Sequence, residues 1–558
     1  MTKKRTNESN GFESTKAAKK QIVNEYNGFK PSSKNTKLES FNLDQINDKV
    51  INNHINDRKP LILKYVGKFQ NLDIANFQPS KIIDTLHYDE LLLVERKYKG
   101  GFGSGTQRIQ MKFNEFMEKV TKGDEYYLTT QYVENEPGKE DEDDEEDGDD
   151  AEALNGQKDI ENSEEEEGDD DDEDEEGLGL PEIPNDQFSD TDSIDMNDIH
   201  DDFDDIEDQS ENDEGEGEPI SLKFPKDPLY ESEAIRRIQE FIQKPLTNLI
   251  KDDKLPLKIE FLKNLIPQQV NLWIGSSNSQ QLNVNSLKDL ELDINSDDLG
   301  LGKKLIDGGT SSGLHHDHSD NLYILVKGFK RFTLFPPSDA ENLYLVGDLN
   351  KIYSSGVIDY KNNDKAPGWR KVRDDGALET EVAKWRLDNE SNLNSSERDE
   401  LIKLIEEEDR ILNNEINKKL DNGKESIKKD PPSFSTIPPI VLHLDQIKDD
   451  DLRSKITKIA QSKWPNFFKC QKIEVLIKPG DLLYLPAGWF HEVTSYGSND
   501  ELNETNEDKD NDNTHIAINY WFAPPNDFNK TYKDEYWRQD FQRTKESCTL
   551  FKDGVINV

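Results

Sequence analysis

Apolar positions along the chain fall mostly into short runs with a period near two. "KPLILKYV" from Lys59, "YDELLLVERKY" (88–98), "YYLTTQYV" and "PQQVNLWIG" (267–275) are runs of this kind. So are "NLYILVKGFKRFTLFPP", "IEVLIKPGDLLYLPAGWFHEV" and "HIAINYWFAPP". β-Branched and aromatic residues dominate them, and Pro-Gly, Gly or Asn-Asp punctuation separates them, which predicts strands. A helical period shows in "MKFNEFMEKVTKG", where Phe113, Phe116, Met117 and Val120 share a stripe and Gly123 stops the run. "PLYESEAIRRIQEFI" and "SERDELIKLIEEEDRILNNEINKKL" also read as helical, the second with only a crude apolar stripe. Short strands with a few helices outside predict a mainly β fold, a sandwich or barrel with flanking helices. No internal repeat is visible.

The polar stretches divide the chain. A polar N-terminal tail (1–45) precedes a strand-bearing segment (46–133). An acidic insert (134–218) follows, and then the first half of a core (219–345) with a polar insert of its own (276–308). A charged, helix-prone insert (346–429) separates it from the second half (430–527). A C-terminal segment (528–558) ends the sequence. "EDEDDEEDGDD" (140–150) and "EEEEGDDDDEDEE" (164–176) are blocks of like charge, which repel themselves and predict disorder. The 558 residues carry a formal net charge of -47, so a direct nucleic-acid partner is disfavoured. A basic protein partner, such as a histone tail or a ribosomal protein, suits this charge better; a solubilising linker is the plainer reading of the acidic blocks. Only Cys470 and Cys548 are present, which argues against a disulfide framework. The N-terminus has no apolar stretch of signal type, and no run of 18 apolar residues predicts a membrane span. Cytoplasm or nucleus is the expected location, with the dispersed N-terminal lysines a weak nuclear signal.

Candidate chemistry concentrates in "GLHHDHSDN", which holds three of the nine histidines. In a strand, residues i and i+2 share a face. His315 and Asp317 therefore group together, and His316 groups with His318. The first pair, completed by a distant histidine, gives two imidazoles and one carboxylate with open positions, a set suited to non-heme Fe(II). The second pair with Asp320 approaches the zinc run of metallo-β-lactamase-type hydrolases, but Asn321 stands where that run needs a final histidine. His491, in "PGDLLYLPAGWFHEV", follows a Pro-Gly turn and an apolar strand and is the preferred third ligand; a barrel brings such remote strands together. His443, in "VLHLD", is the rival. Lys330 is in phase with Phe332 and Leu334 on an apolar strand face, where a lysine is costly unless it meets an anion.

At these residues the chain resembles the JmjC family of cupin-type Fe(II)/2-oxoglutarate oxygenases, and within it the small protein-hydroxylase branch. "HHDHSDNLY", "GFKRFTLFPP" and "PGDLLYLPAGWFHEV" together carry the resemblance. It implies a double-stranded β-helix, the jelly-roll cupin fold. It implies Fe(II) on His315, Asp317 and His491, and 2-oxoglutarate as co-substrate with its far carboxylate on Lys330. Tyr127, Ser312, Asn321 and Asn519 fall where the family touches the co-substrate. The implied activity is hydroxylation of a protein side chain, with succinate and CO2 as co-products. Two alternatives stand beside it: a histone lysine demethylase using the same chemistry on N-methyl groups, and a non-catalytic JmjC-fold binding protein. Absent Cys/His zinc clusters weigh against a chromatin demethylase, and acidity weighs against a tRNA-nucleoside substrate.

Overall fold

The structure is a computed structural model. It describes residues 22–33, 36–65, 69–98, 100–103, 108–131, 228–277, 292–293, 296, 298–306, 308–422, 430–497, 513–527 and 531–558. The acidic insert expected over 134–218 and the N-terminal lysines lie outside these residues, as does most of the polar insert over 276–308.

Sixteen strands occur among the described residues. The first six are β1 (Val23–Asn24), β2 (Glu39–Asn42), β3 (Leu61–Lys64), β4 (Leu91–Arg96), β5 (Arg108–Lys112) and β6 (Tyr126–Leu128). Next come β7 (Pro267–Ser276), β8 (Thr310–Ser311), β9 (Asp320–Lys327), β10 (Phe329–Phe335), β11 (Leu349–Ile352) and β12 (Ile358–Tyr360). The last four are β13 (Ile473–Ile477), β14 (Asp481–Leu485), β15 (Phe490–Tyr496) and β16 (Thr514–Phe522). Two sheets build the core. The larger has the order β2-β3-β14-β9-β16-β7-β6-β4-β5, and the smaller β13-β10-β15-β8. Successive strands β7 to β10 and β13 to β16 alternate between the sheets, which is the double-stranded β-helix, a jelly roll with flanking helices.

The strand patterns explain the layers. In β9 every residue but the last is buried. Leu322, Ile324 and Val326 pack into the large cluster that includes Phe241 and Phe541 of the flanking helices, while Tyr323 and Leu325 face the other way, with Phe332, Leu334 and Leu483. Burial on both faces is why β9 reads as a continuous apolar run rather than an alternating one. Each such Leu or Ile contributes about 1.5–3 kcal/mol. Gly328 makes the tight β9–β10 connection at φ +75°, where a Cβ would sit 2.7 Å from His515 Cβ.

Three expectations change in detail. Residues 108–112 form β5 and the helix begins only at Phe113, so the periodic run starting at Met111 begins as strand. The run "YYLTTQYV" is strand only over Tyr126–Leu128, and its last two residues lie outside the described set. Within the charged, helix-prone stretch 346–429, residues 346–378 carry β11 and β12 rather than helix. Ile352, Val357, Ile358, Tyr360, Trp369 and Val372 are buried in one cluster with Ile440, Ile456 and Trp464. The helix Ser395–Asn422 covers the run read as helical, and a further helix, Glu379–Asn389, precedes it. No helix among the described residues is long and apolar enough to cross a membrane.

Candidate metal centre

His315, Asp317 and His491 each present a ligand atom, and these atoms lie within 4.8 Å of one another. Among the described residues no other group of three potential ligands converges in this way. His491 is on β15, while His315 and Asp317 lie on the irregular segment between β8 and β9 rather than in a strand. The strand expected at this cluster is absent, yet His315 and Asp317 still group with His491, and His315 forms an isolated bridge with it. His315 N donates to His491 O at 3.1 Å, and His491 N donates to His315 O at 2.7 Å. Asp317 is tied to the same wall, its carbonyl accepting from Gly488 N at 2.9 Å. Only glycine fits at 488: φ is +73°, and a Cβ would lie 1.8 Å from Gly356 O.

The side chains are aimed as ligands. His315 Nδ1 is 3.0 Å from Gly313 O, and His491 Nδ1 is 3.0 Å from Trp489 O. Each Nδ1 therefore carries the proton, which leaves the Nε2 lone pairs for a metal. Burial holds His315 well below the usual imidazole pKa, so the ring stays neutral and ligand-competent. Burial raises the Asp317 pKa, opposed by the adjacent His491 and by a hydrogen bond from Asn321. His491 Nε2 and Asp317 Oδ2 are 3.7 Å apart, close enough to share an ion. This donor set fits an Fe(II) centre with open positions. Phe434 stacks on the His315 ring, with centroids 4.8 Å apart and planes at 11°.

The other cluster residues serve the frame. His316 Nε2 lies 2.6 Å from Tyr360 Oη, and His318 Nε2 lies 2.9 Å from Ile358 O, so both point at β12. Asp320 is a buried counter-ion for Arg58, and it also accepts from Tyr484 Oη at 2.7 Å and Ala487 N at 2.9 Å. The zinc-hydrolase grouping of His316, His318 and Asp320 is thereby excluded, since these residues form hydrogen bonds elsewhere. His443, the rival ligand, is buried outside the centre between Glu492 and Glu474.

Beside the centre is a cavity of about 100 Å³, lined by Tyr127, Ser312, Asn321, Ser495 and Asn519 together with the three ligand residues. Lys330 Nζ lies behind its wall, 2.6 Å from Ser495 Oγ and 3.4 Å from Tyr127 Oη. The side chain is 1% exposed, and among the described residues it forms no ion pair with a carboxylate. Burial pushes its pKa down to about 7. Ser312 Oγ accepts from Val493 N at 3.1 Å and so ties the segment before His315 to β15. Asn321 and Asn519 belong to a relay. Trp273 Nε1 donates to Asn519 Oδ1 at 2.8 Å, Asn519 Nδ2 donates to Asn321 Oδ1 at 3.1 Å, and Asn321 bonds Asp317. Trp273 and Phe434 were not singled out from sequence. Trp273 lies in phase with the inward face of β7, a signal that could have found it; Phe434 follows a Pro-rich return with no periodicity to mark it.

The Cupin-like domain family matches residues 180–528. The JmjC domain-containing protein 4 of Schizosaccharomyces pombe is 30% identical over 318 residues, 49% of this chain and 58% of that protein. The tRNA wybutosine-synthesizing protein 5 of Mus musculus is 44% identical over 59 residues, 11% of this chain and 18% of that protein. The aligned regions thus span less than two thirds of either relative. With the jelly roll and the His-Asp-His centre already in place, these matches make the chain a member of the JmjC branch of the cupin-like family.

Proposed function

We propose that the chain is an Fe(II)- and 2-oxoglutarate-dependent dioxygenase that hydroxylates a protein side chain. The observation that carries the reading is the His315–Asp317–His491 centre opening on a cavity backed by a buried lysine that has no carboxylate partner among the described residues. When bound, Fe(II) would supply dioxygen activation, coupled to oxidative decarboxylation of the 2-oxo acid. His315, Asp317 and His491 would hold it. Lys330, behind the wall that Tyr127 and Ser495 form, would offer a dicarboxylate in the cavity a cation beside two hydroxyls. Asn321 and Asn519 keep the Asp317 carboxylate oriented. Phe102, Phe332 and Trp521 also line the cavity and limit the water reaching it.

The substrate is argued from charge. A net charge of -47 favours a basic protein partner, and it disfavours RNA despite the short match to a tRNA-modifying relative. We place this activity in cytoplasm or nucleus. The test is turnover of 2-oxoglutarate to succinate by anaerobically purified protein loaded with Fe(II), with and without basic peptides. Peptide-stimulated succinate and a product heavier by one oxygen would support hydroxylation. Formaldehyde release would instead indicate demethylation. Failure to bind Fe(II) or to produce succinate with any peptide would leave a non-catalytic JmjC-fold protein.

A further inference from the structure

Glu492 follows the ligand His491 on β15, so its side chain points to the opposite, outer face of the smaller sheet. It is fully buried there and is met from every side by donors. Ser311 Oγ donates at 2.6 Å, Thr494 Oγ1 at 2.8 Å and Thr333 Oγ1 at 3.3 Å. His443 Nε2 lies 3.0 Å away. His443 is 2% exposed, and its Nδ1 is 3.2 Å from Glu474 Oε1, so the ring sits between two carboxylates. That environment raises the His443 pKa against the cost of burial and lowers that of Glu474 to about 2. Two carboxylates beside its two nitrogens favour the protonated ring. A buried carboxylate with such a partner is expensive to build and adds little stability of its own.

The contacts lead inward from Glu492. Ser311 Oγ, while donating to Glu492, accepts from Gly313 N at 3.1 Å. Gly313 O accepts the Nδ1 proton of His315 at 3.0 Å. Hydrogen bonds on either side of the Gly313 backbone thus link the His443–Glu492 pair to His315. We propose that His443 and Glu492 are positioning residues for the metal centre: through Ser311 and Gly313 they fix the orientation and tautomer of His315. The proposal rests on reading His315, Asp317 and His491 as a metal site. It gives the segment that returns over the smaller sheet at His443 a direct hold on metal affinity.

The test measures metal binding by the full chain rather than turnover. Mn(II) affinity and the visible spectrum of the Co(II)-loaded protein are compared for wild type, Glu492→Gln, Ser311→Ala and the double variant. Circular dichroism of the metal-free proteins checks that each is folded. Partners of this kind typically control metal affinity roughly 10- to 100-fold. Glu492→Gln and Ser311→Ala should each raise the Mn(II) Kd by about that factor and shift the Co(II) bands. The double variant should lose little more than the worse single one, because both cut the same link. Ser311→Ala leaves the Glu492–His443 pair intact, so it carries the test should Glu492→Gln fail to fold. A folded variant with Mn(II) affinity within about twofold of wild type and an unchanged Co(II) spectrum would overturn the proposal. Additive losses in the double variant would overturn it too. Wild type that binds no Mn(II) would remove the metal centre itself, a separate failure.

Discussion

Lys330→Met isolates the electrostatic cost of preparing an anion site. Burial pushes the lysine from 10.5 down to about 7, with no carboxylate among the described residues to offset it. The unfolded chain keeps the proton to about pH 10.4, so the folded chain binds fewer protons between about pH 7 and 10.4. Stability therefore rises with pH across that window, and the penalty is complete below pH 7. At about 1.4 kcal/mol per decade, the gap amounts to ~5 kcal/mol. Methionine removes that penalty but orphans Ser495 Oγ and Tyr127 Oη, at about 1–3 kcal/mol. The metal-free, ligand-free variant should be more stable than wild type by a few kcal/mol at pH 7. That advantage should shrink by ~2 kcal/mol at pH 9. Urea midpoints of both proteins at the two pH values, with chelator present, measure this. A second arm uses calorimetry of 2-oxoglutarate binding to wild type in buffers of different ionisation enthalpy. Uptake of close to one proton is expected at pH 8 and little at pH 6, because the carboxylate restores the lysine charge. A stability difference independent of pH, together with no proton uptake at pH 8, would refute the reasoning.

The histidine cluster gives a second contrast. His315→Ala should abolish Mn(II) binding, whereas His316→Ala should keep it and cost about 1–3 kcal/mol of stability through the orphaned Tyr360 hydroxyl. Asp320→Ala strands the buried Arg58 guanidinium and should cost roughly 3–5 kcal/mol in urea denaturation; the double variant Arg58→Met/Asp320→Leu should recover much of that. Gly275→Ala places a Cβ 2.3 Å from Tyr127 Cδ2 and 2.6 Å from His515 Cε1, so Tyr127 must shift away from Lys330. Losing one hydrogen bond to a charged group, about 1.5–3 kcal/mol, should weaken 2-oxoglutarate binding roughly 10- to 100-fold, measured by calorimetry, while Mn(II) affinity stays near wild type.

Much of the fold was legible because the core strands carry their own punctuation: β14 and β15 follow from "PGDLLYLPAGWFHEV" alone. The grouping of His315 with Asp317 was legible from chain geometry, and the phase of Lys330 from its strand. Other features depend on partners far away in sequence. Glu492 reads as an ordinary outward-facing carboxylate until the segment bearing His443 is folded over it. Asp320 reads as a third member of a metal-binding run until Arg58, far upstream, is seen beside it. Residues 346–378 read as part of a charged insert because charges interrupt their apolar positions, yet those positions converge in three dimensions on the cluster around Trp464. In each case the local pattern is ambiguous, and a tertiary contact resolves it.

The paired backbone bonds between His315 and His491 have a consequence for how the protein is made. The two ligands come from segments about 175 positions apart, so loop closure must precede ion capture. A nascent chain that ends before β15 can present His315 and Asp317 but not the third ligand. A bound ion would then act as a latch on the finished barrel. It would bind only after the last strands have docked and would stabilise that state by mass action, ~2.7 kcal/mol when free metal is 100 times its Kd. Metal supply would thus govern the lifetime of the folded protein.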